Sequence, residues 1–181
     1  MRQKLALLVV SIVLVIPLVG QGSPAAQPDP WGALRQLEGD WKGSGNGEPG
    51  VSTSERHYSF ILGGRFLQGR NRSVYEPQEK NPKGEIHENL DYFSYDRSRK
   101  KLVLRQFHVE GFVNQYVRID PGEDPGTIVF ETESIENIPA GWKAKETYKL
   151  LDTGEWKETF ELAVPGKPYE VYTQTRLTKV K

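Results

Sequence analysis

No cysteine occurs in the 181 residues, and this one absence removes disulfides, thiolate zinc sites, thiol catalysis and a lipidated N-terminal cysteine together. Neither sign of charge prevails, since 24 Lys and Arg stand against 24 Asp and Glu. Basic and acidic residues alternate along the chain, so the footprint of a nucleic-acid binder is missing. There is no G-x-S-x-G elbow, and no segment gathers Ser, His and an acid. His57, His87 and His108 form no short metal-ligating spacing such as H-E-x-x-H. A metal site assembled across strands stays open, but the plain reading is hydrogen-bonded strand histidines and no metal. The carboxylate pairs Glu131 with Glu133 and Glu158 with Glu161 are read as solvated strand positions. Gly45 to Gly50 has the spacing G-x-G-x-x-G. Pro49 and the alternating stretch Val51 to Phe60 supply no following helix, which excludes a dinucleotide fingerprint.

Long apolar runs are also scarce. The one present follows Arg2 and Lys4 and covers Leu5 to Val19, interrupted only by Ser11 and Pro17. Small residues come next at Gly20, Gly22, Ser23, Ala25 and Ala26, the three-part layout of a secretory leader. Fifteen helical residues reach roughly 22 Å, short of the roughly 30 Å hydrocarbon core. The expectation is a signal peptide over 1–22, a linker over 23–29 and one domain over 30–181. The product is exported, periplasmic or secreted, with no membrane segment after cleavage. Loss of Arg2 and Lys4 leaves 22 basic against 24 acidic residues. Export without disulfides suits a bacterial envelope.

Glycine, by contrast, is plentiful and placed in register. In Gly39-Asp40-Trp41-Lys42-Gly43-Ser44-Gly45-Asn46-Gly47 it recurs at alternate positions, the facing repeat of a strand. The pattern strips one face of side chains, with Trp41 assigned to the other. Glycine weakens a strand unless a tight bend or a close backbone approach requires it, and closing a small barrel requires both. Gly39 and Trp41 are therefore assigned to barrel closure. Before this segment, Asp29-Pro30 opens a short helix to about Leu37, with Trp31 and Leu34 on one face, placed as a plug over a barrel end.

Beyond Asp40 the pattern predicts strands near 40–47, 51–61, 65–75, 86–96, 101–110, 112–119, 126–134, 142–151, 155–163 and 169–180. Short Gly-, Pro- and Asp-rich joints separate them, as between antiparallel neighbours. The fold class is all-β: a ten-stranded antiparallel up-and-down barrel, closed so that no edge is exposed and wide enough for a small ligand. Gln106 and His108 share a facing with Leu102 and Leu104, so an inward face there ends an apolar stripe in two polar groups. Asn114 and Tyr116 are candidates on the next strand. Arg70 and Arg72 are candidates for clamping a carboxylate; exposed arginines opposite glutamates explain the same residues.

The segment Leu37 to Gly47, with its ungapped Gly-x-Trp-x-Gly-x-Gly-x-Gly, resembles the opening strand of nitrobindin-type β-barrels, relatives of fatty-acid-binding proteins and lipocalins. The resemblance implies a calycin-like barrel with an apolar internal pocket, and Arg176 of the last strand packed across Trp41. It also implies haem on a last-strand histidine and peroxynitrite isomerisation. Tyr169 to Val180 contains no histidine; Gln174 or Thr173 stands where that ligand belongs. The leading expectation is thus a non-enzymatic exported barrel for a small hydrophobic or amphipathic molecule. The alternatives are a haem protein using His108, or a solidly packed barrel serving as an envelope interaction module.

Overall fold

The computed structural model describes residues 29–119, 124 and 126–181; the expected signal peptide and nearly all of the linker lie outside the described residues. A 3-10 helix, Gly32–Leu37, precedes ten strands. They are β1 (Gly39–Gly47), β2 (Gly50–Ile61), β3 (Phe66–Tyr75), β4 (Glu85–Asp96) and β5 (Lys101–His108). The second five are β6 (Val113–Ile119), β7 (Thr127–Glu136), β8 (Lys143–Leu150), β9 (Trp156–Ala163) and β10 (Glu170–Lys179). Each strand pairs antiparallel with the next, and β1 pairs with β10 to close the barrel. The all-β, ten-stranded closed architecture is therefore as the strand pattern predicts.

Closure rests on the glycines of β1. A Cβ on Gly43 would overlap the carbonyl of Arg176, and one on Gly47 would overlap that of Tyr172. Only bare backbone lets β10 come that close. Trp41 does not stand opposite these glycines, as the sequence reading had it. It shares their odd register and faces inward with them, 2% exposed. Its indole Nε1 donates to the Leu37 carbonyl at 2.6 Å. Arg176 is a second correction. The neighbours Thr175 and Leu177 point inward, so the pleat sends Arg176 outward, where its guanidinium lies 3.9 Å from Glu155. The cation over Trp41 belongs to Lys179, whose ammonium sits 5.4 Å from the ring centre.

The interior divides along the barrel axis. Where β1 begins, the space is filled by Trp41, Tyr58, Leu67, Phe93, Leu104, Phe130, Tyr148, Trp156 and Leu177. Phe93 meets Phe130 and Tyr148 edge-on, with centroids 5.7 and 5.8 Å away, an arrangement aromatic quadrupoles favour. Trp31, Leu34 and Leu37 from the 3-10 segment join this cluster. Where β1 ends, the inward positions are polar, and the interior is open.

Candidate functional site

Strand alternation delivers a ring of polar side chains to the middle of the barrel: Arg56 from β2, Asn71 from β3, Asp91 from β4, Gln106 from β5, and Glu146 and Glu158 from β8 and β9. Most of them, Asp91 being the exception, line a cavity of about 470 Å³. Its mouth is more apolar, with Phe112, Ile135, Trp142, Phe160 and Tyr172 among the lining. The volume lies in the usual range for small-molecule sites.

Arg56 anchors the floor. Its side chain is only 9% exposed and lies 3.3 Å from Glu158 Oε2; Nη1 also donates to Ser73 Oγ at 3.3 Å. The other Glu158 oxygen accepts from the Tyr58 hydroxyl at 3.2 Å. A buried ion pair is tolerable only with such added hydrogen bonds. Asp91 accepts from the amides of Asn71 and Asn89, both at 2.6 Å. Burial pushes its carboxyl up to about 7, against the Asn71 hydrogen bond and with help from the Glu158 charge. Burial also drives Glu146 well above the usual carboxylate range, reinforced by Glu158 and Asp91. Three acids and one guanidinium thus coexist because two of the acids hold protons more tightly than in water.

Three amide oxygens in this layer, Asn71 Oδ1, Gln106 Oε1 and Asn114 Oδ1, are buried with no hydrogen-bond partner. A buried acceptor without a donor is costly. All three belong to residues that line the cavity, with the oxygens themselves enclosed by protein.

Of the residues expected at the site, Gln106, His108 and Asn114 line the cavity. Tyr116 lies in the packed core, its hydroxyl accepting from Asn114 Nδ2 at 2.9 Å. Arg70 and Arg72 are on the outer face of β3, exposed. Arg72 stands in register between Glu55 and Glu88, the pairing with outward glutamates that was the other reading of these residues. The inward arginine is Arg56. Its signal was present: it keeps step with Ser52, Ser54 and Tyr58, all buried, while Glu55 and His57 alternate outward. Glu158, which the carboxylate spacing places in solvent, is instead buried, in step with Trp156.

At the mouth, His108 stacks on Phe112 with ring centres 4.1 Å apart, and burial pulls its imidazole down to about 3, with a smaller contribution from His87. β10 presents Thr173 and Thr175 to the cavity, while Gln174 reaches Thr159 on the outer side. No imidazole stands on this strand, so its residues do not fit haem ligation of the kind the resemblance implies.

The fold and this site define a class: a closed ten-stranded antiparallel barrel, packed at one end and hollow at the other. No family model and no curated protein matches the chain. Among solved structures, the crystal structure of Rv2717c from M. tuberculosis is similar, with a TM-score of 0.61 and 19% identity over 84% of this chain and 98% of that one. That likeness establishes the shared fold.

Proposed function

We propose that this protein binds one small amphipathic molecule inside the hollow half of the barrel. The ligand places a hydrogen-bond-donating head, such as an amine or a polyol, against the floor and its apolar part among Phe112, Trp142 and Tyr172. The observation that carries this reading is a cavity of about 470 Å³ floored by the Glu146 and Glu158 carboxyls and the Asn71 and Gln106 side chains beneath a more apolar mouth. A fatty acid suits the site less well, because its carboxylate would meet the Glu158 carboxylate, which already pairs with Arg56, and the packed aromatic half leaves its tail no deep apolar channel. We further propose that binding takes place outside the cytoplasm, on the strength of the leader from Arg2 to Val19.

The test is fluorescence titration with two dansyl probes, one ending in a primary amine and one in a carboxylate. Saturable one-to-one uptake of the amine probe is expected, with the carboxylate probe at least about tenfold weaker, a difference of about 1.4 kcal/mol. Gln106→Leu, which removes a floor amide at similar volume, lowers amine-probe affinity by a comparable factor. Absence of saturable uptake of either probe contradicts the reading.

A further inference from the structure

Among the described residues, His87, His108 and Glu110 bring ligand atoms within 4.8 Å of one another, at the cavity mouth. His87 leaves β4 and His108 ends β5 two rungs apart, and Glu110 sits in the turn that follows. From this geometry we infer that His87 and His108 bind a zinc ion, through His87 Nε2 and His108 Nδ1.

Two independent features carry the inference. The first is spacing. Those two ring nitrogens are 3.4 Å apart. Two zinc–nitrogen bonds of about 2.0–2.1 Å at the tetrahedral angle separate their nitrogens by about 3.3–3.4 Å, so the ring nitrogens stand at the right separation. The second is what lies behind each ring. A zinc-bound histidine characteristically donates its other N–H to a carboxylate or a carbonyl. His87 Nδ1 is 2.7 Å from Glu110 Oε1. His108 Nε2 is 3.3 Å from Asn114 Nδ2, a donor whose amide must turn over to present its oxygen to the ring.

Without metal the imidazoles form a relay. His87 donates to Glu110, His108 Nδ1 donates to His87 Nε2, and Asn114 Nδ2 donates to both His108 Nε2 and the Tyr116 hydroxyl. That arrangement strands Asn114 Oδ1. When zinc takes the two facing nitrogens, the His108 proton moves from Nδ1 to Nε2 through solvent, with no net proton released. The Asn114 amide then turns over, so that Oδ1 accepts from His108 Nε2 and from the Tyr116 hydroxyl, which can donate as readily as accept. The oxygen gains two donors, and Nδ2 takes the unpartnered place that Oδ1 had held. Two protein ligands leave the remaining tetrahedral positions open toward the cavity, for water or a donor atom of a bound molecule. The site does not depend on the identity of any organic ligand.

The test is titration of the untagged, full-length mature protein with Zn²⁺ by calorimetry and with Co²⁺ by visible absorption. One equivalent is expected to bind, with the intense absorption of tetrahedral cobalt. His87→Ala and His108→Ala should each abolish it, and Glu110→Gln and Asn114→Leu should weaken it by roughly 10–100-fold. His57→Ala should leave it unchanged, because His57 lies on the outer wall, 2.7 Å from Asp40. Zinc K-edge absorption of the wild type gives a reading that needs no variant, and scattering from two imidazoles is expected. No binding at micromolar zinc, binding that survives both histidine substitutions, or an absorption edge without imidazole scattering overturns the site.

Discussion

The two halves of this barrel interior are built from the same strands by the same alternation, yet they obey different rules. Near the start of β1 the inward residues are aromatic and aliphatic, fully buried, and locked edge-to-face around Phe93. A few rungs further along, the same inward stripes carry Arg56, Asn71, Gln106, Glu146 and Glu158 around open space, with Asp91 buried beneath them. The first half supplies the apolar burial that holds a disulfide-free chain together. The second half spends part of that stability on buried polar groups and strained protonation states. Local conflict of this kind, on an otherwise consistent fold, is where function is expected.

The sharpest way to break the contrast is to damage the packed half. Phe93→Ala is expected to cost about 3–5 kcal/mol and to lower the thermal midpoint of the whole barrel, which calorimetry reads directly. Next is the floor between the halves. Arg56→Met leaves the Glu158 carboxylate buried without its cation and should destabilise by roughly 3–5 kcal/mol, whereas Arg56→Met with Glu158→Leu recovers most of that loss. Denaturant melts of the single and double variants decide it. Additive losses would mean that the pair is not the coupled unit described.

Asp91 sharpens the comparison through pH. Its folded value, about 7, lies above the ordinary 3.8, so the native state holds the proton more tightly than the unfolded chain. Its contribution to stability is complete below pH 4 and is lost as pH rises through 7, by up to about 4 kcal/mol. Asp91→Asn should lessen that fall in stability, leaving the part that belongs to Glu146. A wild type whose stability rises steadily from pH 4 to 7, with the same slope in Asp91→Asn, would contradict the assignment. The smallest effect belongs to the outer wall: Arg176→Ala, exposed and loosely placed beside Glu155, should change stability by no more than about 0.5 kcal/mol.

The fold was legible because period-two alternation and turn chemistry both report on local backbone, and the ten strands fall within a few residues of the expected limits. The site was only partly legible. Alternation assigns residues to two faces without saying which face is inside, and β3 carries polar groups on both. Arg70 and Arg72 drew attention as charges, while Asn71 and Ser73 between them took the interior. In β2 the neighbours Tyr58 and Phe60 marked the inward face, so Arg56 could have been found by its step. The His87–His108 juxtaposition was not readable, since it depends on the register of β4 against β5, in which Asn89 rather than His87 pairs with His108. The facing of Trp41 is legible in its numbering, since its parity with Gly43 places both on one face.

The division of the interior into a packed half and a receiving half is tested most directly by NMR titration of isotope-labelled protein with the amine-headed probe, following side-chain amide signals. Shifts confined to Asn71, Gln106, Asn114 and Asn89, with the ring signals of Phe93 and Phe130 unmoved, are the predicted result. Shifts spread over the outer wall, or none at saturating probe, would contradict it.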